Sequence, residues 1–244
     1  MKRLAKDRPL VLDGGLSNVL EESGCDLDSA LWTAGLLRTN PEAIVQAHVA
    51  YLRAGADIIT TASYQASVPG FVNAGLSTEE GRGLMQHAVE LADEAQCRFL
   101  EESAPIDRSI LIAASAGPYG AYLADGSEYS GVYEASDAEL RDYHAPKIEC
   151  LLETGADLLA LETLPSLREI AVLAELLEAV DRPSWVSFCC RDGRHLHDGS
   201  QVTDAVELMR SVPCVFALGA NCTPPAHIAE LIRLVRKAAP RQRV

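Results

Sequence analysis

The 244-residue sequence lacks several features that would assign it at once to a large class of proteins. It contains no apolar run near the roughly 20 residues that a membrane-spanning helix needs. It also lacks an excess of basic residues, since its formal net charge is −14 at pH 7. Such a charge opposes binding to the phosphates of nucleic acids and to anionic membrane surfaces. We therefore expect small-molecule partners, with no nucleic acid and no membrane.

A targeting segment and a disulfide framework are absent as well. The charged stretch 1–9 is not followed by the apolar core of a signal peptide, because Asp13 interrupts the run 10–12. The seven cysteines are odd in number and widely scattered, a pattern typical of reduced thiols in the cytosol. The sequence predicts a cytoplasmic protein.

Several well-known catalytic patterns are missing too. There is no Ser-His-Asp order, no phosphate-binding glycine loop and no His-Glu-x-x-His pattern. Nothing in the sequence indicates nucleotide handling.

What the sequence does contain is an alternation of short apolar runs and helical stretches. The runs are continuous, which predicts strands buried on both faces in a parallel sheet covered by helices. Asn40-Pro41, and Ser136 with Glu139, predict two helix starts. The predicted strands are Leu10–Asp13, Asp57–Ser63, Ile110–Ser115, Asp157–Glu162, Trp185–Cys189 and Cys214–Leu218. The predicted helices lie near 41–54, 78–102, 136–154, 166–180, 201–211 and 225–239.

A weak internal repeat supports this architecture. The segment 51–62 resembles 151–162, and each is interpreted as a helix end, a glycine C-cap and a strand that begins at Ala-Asp. The predicted fold is α/β, of the (β/α)8 TIM-barrel type, with about six of the eight βα units in this chain. We expect a single domain over residues 1–244 that lacks the last two units and can self-associate through exposed barrel edges. The basic tail 238–244 does not resemble the start of a seventh strand.

Two carboxylates follow predicted strands, and the carboxyl ends of barrel strands converge on one mouth. Asp13 and Glu162 could fix an ammonium group or act as acid and base. Their structural alternatives are a hydrogen bond to the Gly14-Gly15 turn for Asp13 and a helix cap for Glu162. The long irregular stretch 117–135 also follows a strand, and such loops are often lids or substrate walls.

Three cysteines lie at the same predicted mouth. Cys222 follows Asn221 where a strand ends, and its thiol could be core filler, a nucleophile or a zinc ligand. Cys189 and Cys190 end a neighbouring strand. Because adjacent strand side chains point to opposite faces, at most one of these two faces the mouth.

Taken together, these segments resemble the homocysteine S-methyltransferase family, from about residue 10 to about residue 235. The motif from Gly117 to Tyr129 is the most specific, and it is similar to the branch that uses S-methylmethionine or S-adenosylmethionine rather than betaine or folate. The other matching motifs are Asp13-Gly-Gly, Gly24-Cys-Asp-Leu, Ala54-Gly-Ala-Asp, Thr61-Ala-Ser-Tyr-Gln-Ala, Glu162-Thr-Leu-Pro and Gly219-Ala-Asn-Cys.

The resemblance implies an enzyme of methionine biosynthesis that transfers a methyl group from one of these sulfonium donors to L-homocysteine. It implies Zn²⁺ held by three cysteines at the barrel mouth, among them Cys222, with homocysteine bound to the ion as its thiolate. It implies that Asp13 and Glu162 bind the amino group of homocysteine and that Asn221 belongs to the substrate site. Tyr119 and the loop after it would shape the donor site.

The sequence departs from the family pattern at the metal. The family's other two zinc cysteines form a Gly-Gly-Cys-Cys motif that these 244 residues do not contain. Cys189 and Cys190 are the one adjacent cysteine pair that could replace them. The alternative is therefore a catalytically inactive homocysteine-binding remnant, or an incomplete fragment that lacks two zinc ligands. The sequence does not choose between the two donors, nor does it exclude a selenium analogue of homocysteine as acceptor.

Overall fold

The computed structural model describes residues 8–28, 31–103 and 106–244, so most of the charged stretch 1–9 lies outside the described residues. The chain divides into two compact units. The first comprises Met1–Ser115 and Cys150–Leu158, and the second comprises Ala116–Glu149 and Leu159–Val244. In the described ranges, no helix combines the length and the apolar character needed to cross a membrane. The single domain over 1–244 stays a prediction.

The first unit contains one parallel strand pair and a helical layer. β1 (Ile58–Thr60) pairs with β2 (Leu111–Ala116), with Ile58 opposite Leu111. Every residue of β2 is buried, as predicted for a strand covered on both faces. The long helices α3 and α5 pack against each other over a shared apolar core. The described helices of this unit are α1 (Leu16–Glu22), α2 (Thr33–Thr39), α3 (Pro41–Ala54), α4 (Val68–Asn73) and α5 (Thr78–Glu102).

The second unit contains three parallel strands that alternate with helices. β4 (Ser184–Phe188) pairs in parallel with both β3 (Leu158–Leu164) and β5 (Val215–Ala220). Leu164 lies opposite Phe188, and Phe188 lies opposite Ala220, so the three strands end at one level. The helices are α6 (Tyr119–Leu123), the 3₁₀ helix Ser127–Tyr129, α7 (Asp137–Leu152), α8 (Leu167–Leu177), α9 (Val202–Met209) and α10 (Pro225–Ala238).

The α/β class and five of the six strands are confirmed, and the first predicted strand is the exception. Leu10–Asp13 forms only one isolated bridge, between Leu12 and Ile58. The Asp13 carboxylate accepts the Thr60 N–H at 2.7 Å, so a side chain replaces the backbone acceptor that would extend the ladder. The predicted strand Asp57–Ser63 is correspondingly shortened to β1. Val11 is 51% exposed and Leu12 48% exposed, and self-association through such apolar edges stays a prediction.

Both predicted helix starts are confirmed. The Asn40 side chain accepts the Ala43 N–H at 3.3 Å, and Pro41 occupies the first turn of α3. Before α7, the Ser136 N–H donates to Glu139 at 2.8 Å, and the Glu139 N–H donates to the Ser136 hydroxyl at 3.2 Å. This reciprocal pair satisfies two N–H groups that the first helical turn leaves unpaired.

The internal repeat has a hydrogen-bonding basis at its aspartates. The Asp57 carboxylate accepts the Val11 N–H at 2.9 Å, and the Asp57 N–H donates back to the Val11 carbonyl at 2.7 Å. Asp157 makes the same two bonds with Ile112, at 3.0 and 2.9 Å. Each aspartate therefore fastens the start of its strand to the preceding strand segment.

The predicted glycine caps hold for only one copy of the repeat. Gly55 caps α3 with φ at 108°, a conformation that glycine adopts without strain. In the second copy the prediction is wrong, because α7 already ends at Leu152 and Gly155 is not among the residues with positive φ.

The tail 238–244 contains no named strand, in agreement with the prediction, but it forms one isolated parallel bridge, between Arg243 and Ala217 on β5. The Arg243 N–H donates to the Phe216 carbonyl and the Arg243 carbonyl accepts the Leu218 N–H, both at 2.9 Å. The backbone pairing does not depend on an apolar side chain, which is why the basic composition gave no sign of it.

His48 in α3 is a buried histidine without hydrogen bonds. It is 0% exposed, and neither ring nitrogen has a hydrogen-bond partner among the described residues. Burial lowers its pKa from 6.5 to about 4, because the charged imidazole would lose its hydration. At a pH between these two pKa values, His48 is protonated in the unfolded chain and neutral in the native protein. Stability that is present above pH 6.5 is therefore lost as the pH falls.

We expect the free energy of unfolding to fall by about 2 kcal/mol from pH 7 to pH 4.5 because of His48. His48→Leu removes the titrating group, so this variant should lose less stability over that interval, by about the same amount. Urea unfolding followed by circular dichroism at both pH values measures the difference. His87→Gln, at a histidine of α5 with a 38% exposed side chain, is the control and should keep the wild-type dependence. An unchanged pH dependence in His48→Leu would contradict the prediction.

Candidate functional site

The candidate site lies in the second unit, where three parallel strands end together. The last residues of β3 include Glu162 and Thr163, Cys189 follows β4, and Asn221 follows β5. The ladder continues one residue past the strands, since Cys189 donates its N–H to Leu164 at 2.9 Å and Asn221 donates to Phe188 at 3.1 Å. Register alone therefore brings these side chains to one edge of the sheet.

Asn221 joins the ends of β3 and β5 through its side chain. Its Oδ1 accepts the Thr163 N–H at 2.9 Å, and its Nδ2 donates to Thr163 Oγ1 at 2.9 Å. The bridge involves unusual backbone: φ is +60° at Thr163 itself and +48° at Cys222, the residue after Asn221. A positive φ is a rare and strained conformation for a β-branched residue such as threonine. The amide thus holds a strained arrangement in place.

Cys222 is the exposed cysteine of this edge, whereas Cys189 and Cys190 are buried. Thr163 Oγ1 donates to its sulfur at 3.6 Å, and Asn221 Nδ2 lies 3.7 Å from it. The residue is exposed, yet the protein groups around the sulfur partly desolvate it and raise the pKa of the thiol. The Thr163 hydrogen bond opposes this increase, while the charges of Glu162 and Glu128 add to it. The residue is therefore exposed, its sulfur is hydrogen-bonded, and the charges of two carboxylates act on it.

The two cysteines after β4 are both buried. Cys189 Sγ is 3.5 Å from the Cys222 carbonyl oxygen, and burial raises the pKa of Cys189 to about 12. The Cys190 N–H donates to the Thr223 hydroxyl oxygen at 3.0 Å, and burial raises the pKa of Cys190 to about 12 as well. The expectation that the two side chains point to opposite faces stays a prediction.

Glu162 is half-buried on β3, and its charge raises the pKa of Cys222. The structural alternative for this residue was a cap on the next helix. The N-cap of α8 is Ser166, whose hydroxyl accepts the Glu169 N–H at 3.4 Å, and the Leu167 N–H donates to Asp198 at 2.7 Å. The N-cap position of α8 is therefore occupied by Ser166 and not by Glu162.

Asp13 belongs to the first unit. Its carboxylate accepts the Thr60 N–H at 2.7 Å and the Thr60 hydroxyl at 3.1 Å, so it is ordered by β1. Tyr51 supports the Gly14-Gly15 turn by donating its hydroxyl to the Gly15 carbonyl at 2.8 Å. A role for Asp13 in substrate binding stays a prediction.

Tyr119 begins α6, and its ring packs among other aromatic rings. The ring centroids of Tyr122, Tyr133 and Tyr143 lie 5.6, 5.6 and 5.3 Å from that of Tyr119. Its backbone N–H donates to Glu169 Oε1 at 2.6 Å. The residue therefore anchors the start of the loop 117–135.

Glu169 is a fully buried carboxylate at the centre of that anchor. Besides the Tyr119 N–H, it accepts the Tyr133 hydroxyl and lies 2.7 Å from His144 Nε2. Lys147 is buried nearby, and burial lowers its pKa to about 7, with Glu169 acting in the opposite direction. Both ends of the loop, at Tyr119 and at Tyr133, are thus fastened to one side chain of α8.

Sequence reasoning missed Glu169 for an identifiable reason. Ser166 and Glu169 have the spacing of a capping box, which predicts a local role for the glutamate. In the structure the Ser166 hydroxyl accepts the Glu169 N–H, as in a capping box, but the Glu169 carboxylate accepts the N–H of Tyr119, which is distant in sequence. Glu128 was also passed over, although it lies inside the specific motif between Gly117 and Tyr129.

The residues at this edge do not form a complete zinc site. Cys189 contacts the Cys222 backbone. In the part of the chain that the structure describes, no three His, Cys, Asp or Glu side chains are grouped so as to share a metal ion. A catalytic zinc takes three protein ligands plus a water or substrate, so these residues alone do not fit the ion.

Comparison with known proteins agrees with this geometry. The family model for homocysteine S-methyltransferase matches residues 10–244. A homocysteine S-methyltransferase of Escherichia coli strain K12 is 48% identical over 220 residues, covering 90% of this chain and 71% of that protein. A selenocysteine Se-methyltransferase of Brassica oleracea var. italica is 41% identical, covering 97% of this chain and 72% of the relative.

A solved structure extends the likeness to the fold. The metallated form of the homocysteine methyltransferase MmuM from Escherichia coli superposes with a TM-score of 0.91 at 43% identity, covering 98% of this chain and 83% of that one. The chain therefore belongs to the homocysteine S-methyltransferase family and is an enzyme of that type. Its fold is α/β, of the TIM-barrel type, as predicted.

Glu169→Ala is expected to lower the free energy of unfolding by about 3 to 5 kcal/mol. The substitution leaves His144 and Lys147 buried without their carboxylate, and it removes the acceptor of the Tyr119 N–H. Urea unfolding measures the loss. Glu175→Ala is the matched control, because its carboxylate also lies on α8 but is 65% exposed in a pair with Arg141, and it should cost less than about 1 kcal/mol. Equal losses would show that burial at Glu169 is not the source of its effect.

Proposed function

We propose that this chain transfers the methyl group of a sulfonium donor, S-methylmethionine or S-adenosylmethionine, to the sulfur of L-homocysteine, giving methionine. The observation that carries the proposal is the exposed Cys222, whose sulfur is held by Thr163 and Asn221 while the charge of Glu162 acts on it. Family membership supports the acceptor, and the motif from Gly117 to Tyr129 supports a sulfonium donor.

The reaction needs positioning more than acid–base work. A carbon–sulfur bond forms between the methyl carbon and the homocysteine sulfur, while the donor's sulfonium–carbon bond breaks. Its electron pair stays on the donor sulfur, which leaves as a neutral thioether and requires no proton. The protein's main contribution is therefore to hold the two sulfur atoms in line with the methyl group.

Each residue of the site has a proposed task in this scheme. Glu162 receives the ammonium group of homocysteine in a charge-assisted hydrogen bond. Asn221 and Thr163 fix the Cys222 sulfur at the acceptor side. Tyr119 acts through the anchored loop 117–135, since its own ring is packed among tyrosines.

We also propose that Cys222 supplies one ligand to Zn²⁺, with Cys189 as its nearest companion. A bound zinc ion would keep the homocysteine sulfur deprotonated near neutral pH. Because the described residues do not complete the site, the further ligands would come from outside them, and no step is assigned to the ion here. The cytoplasm is the proposed compartment, supported by seven free cysteines, all of them within the described residues.

The activity test is formation of methionine from L-homocysteine with each of the two donors, followed by mass spectrometry. Glu162→Gln should raise the KM for homocysteine by roughly 10- to 100-fold, because one charge-assisted hydrogen bond is lost. Glu178→Gln, at an exposed carboxylate just after α8, should leave it unchanged. Turnover with neither donor, together with homocysteine binding by calorimetry, would favour the inactive binding protein. An unaltered KM in Glu162→Gln would remove this residue from the acceptor site.

Zinc content tests the metal proposal separately. After dialysis, we expect the 244-residue chain to hold clearly less than one zinc ion per chain, because two neighbouring thiols bind zinc weakly. Cys222→Ser should remove what remains, whereas Cys97→Ser, at an exposed cysteine, should not. Mass spectrometry of the metal gives the stoichiometry. A full zinc ion per chain, lost in Cys222→Ser, would show that a complete ligand set exists and overturn this expectation.

A further inference from the structure

Glu169 is a buried carboxylate to which the proposed reaction gives no task. It is 0% exposed and lies in the first turn of α8. Burying a charged group is costly, and apolar side chains of similar volume often stabilise a protein equally well in its place. A buried carboxylate does what an apolar group cannot, because its oxygens accept directional hydrogen bonds that select one geometry. The partners of Glu169 therefore indicate what it fixes.

The two oxygens of Glu169 serve the two ends of one loop. Oε1 accepts the Tyr119 N–H at 2.6 Å, near the start of the loop 117–135. Oε2 accepts the Tyr133 hydroxyl, near the end of the same loop. His144 Nε2, on α7, lies 2.7 Å from Oε1. A single side chain of α8 thus ties both ends of the loop together.

The same loop packs against the segment that follows β3. A side-chain carbon on Gly131 would lie 2.8 Å from the Pro165 carbonyl oxygen and 3.0 Å from the Asp198 nitrogen. Gly131 also has a φ of +66°, so glycine is needed there for its backbone as well as for the close approach. Further along the loop, the Tyr133 hydroxyl lies 3.3 Å from Ser166 Oγ. The loop therefore contacts this segment through both backbone and side chain.

That segment continues directly from the candidate site. Leu164 alone separates Pro165 from Thr163, so the Cα atoms of these two residues are at most about 7.6 Å apart. Thr163 donates to the Cys222 sulfur at 3.6 Å and accepts the Asn221 amide at 2.9 Å. Contacts along the chain thus place the loop beside the strand end that holds the sulfur.

We propose that Glu169 is a positioning residue for the methyl donor: by holding both ends of the loop 117–135, it keeps this loop in place as a wall of the donor site. The inference rests on the proposed function, because it assumes that the loop shapes the site of a sulfonium donor. The acceptor groups at Glu162 and Cys222 lie instead at strand ends, which are set by register and by the Asn221 bridge. Loss of the Glu169 hydrogen bonds should therefore weaken donor binding and leave homocysteine binding almost unchanged.

This role predicts a defect confined to one of the two substrates. Glu169 touches no reacting atom, so its effect is on the fraction of molecules whose loop is in place. The apparent dissociation constant of a ligand rises in inverse proportion to the fraction of binding-competent molecules. A loop that is in place about one tenth of the time therefore binds the donor about tenfold more weakly. A general loss of stability would affect both substrates alike.

The experiment measures the binding of S-methylmethionine and of L-homocysteine by calorimetry. Glu169→Gln keeps the shape of the side chain but has one oxygen where the carboxylate has two, so it cannot serve both ends of the loop. Its dissociation constant for S-methylmethionine should rise about tenfold, and that for homocysteine should stay within about twofold. Tyr133→Phe leaves the carboxylate in place and should weaken S-methylmethionine roughly threefold. This milder variant carries the test alone if Glu169→Gln does not fold.

Two control variants separate the loop from the rest of the second unit. Glu175→Gln changes an exposed carboxylate of the same helix and should bind both ligands like the wild type. Val206→Ala opens a cavity at a fully buried residue of α9. It lowers stability without removing a hydrogen bond of Glu169, and it should also keep both affinities.

Proteolysis measures the loop itself, without any substrate. Tyr129 lies in the loop and is 49% exposed, and chymotrypsin cleaves after tyrosine. Because cleavage requires local opening, cutting after Tyr129 should be at least about threefold faster in Glu169→Gln and in Tyr133→Phe than in Glu175→Gln. Mass spectrometry of the fragments gives the rate, and equal rates in all three variants would overturn the proposal.

The binding results can overturn the proposal in three further ways. Equal losses for homocysteine and S-methylmethionine would indicate a general structural role, as would weaker S-methylmethionine binding in Val206→Ala. Unchanged affinity for S-methylmethionine in both loop variants would remove Glu169 from donor binding. A wild-type chain that binds no S-methylmethionine would overturn this inference together with the proposed function. If instead the loop variants weaken S-methylmethionine alone but the wild type forms no methionine, the inference stands and only the proposed function fails.

Discussion

The geometry of the second unit depends on one buried carboxylate, Glu169. It accepts hydrogen bonds from Tyr119 and Tyr133, which stand at the two ends of the loop after β2, and it contacts His144 on α7. Breaking such a cluster by removing one member leaves buried donors without acceptors, which costs more than the cluster contributes when whole. The loop 117–135 is consequently fastened at both Tyr119 and Tyr133, although most of it is irregular.

A second constraint acts at the strand ends. The parallel register of β3, β4 and β5 brings the ends to one level, but register cannot orient a side chain. That task falls to Asn221, which bonds both backbone and hydroxyl of Thr163 and reaches toward Cys222. The strain of a positive φ at Thr163 and Cys222 is tolerated because the Asn221 amide bonds Thr163 and directly precedes Cys222. Strain is thus concentrated beside the sulfur where the chemistry is proposed.

The sequence predicts the repeating elements far better than the irregular ones. α3 and α5 occupy the predicted ranges because caps at Asn40 and Ser77 are local signals. The short helices α1, α2, α4 and α6 were missed, since none is longer than 7 residues and periodicity cannot define so few turns. Strand ends identify Glu162 and Cys222 as candidate site residues by position. Glu169 could not be found in this way, because its partners are distant in sequence and its spacing from Ser166 suggests an ordinary cap.

The charges at the site connect the two substrates. Glu162 and Glu128 both raise the pKa of the Cys222 thiol, and they would raise that of a homocysteine thiol bound beside it in the same way. On the proposed function, the positive charges of the sulfonium donor and of a zinc ion would both oppose this effect and favour the acceptor thiolate. By linkage, a bound thiolate would strengthen donor binding by the same factor by which the donor favours the thiolate. A site whose protein charges are carboxylates therefore becomes suited to an anionic nucleophile only through the cations that the donor and the metal bring.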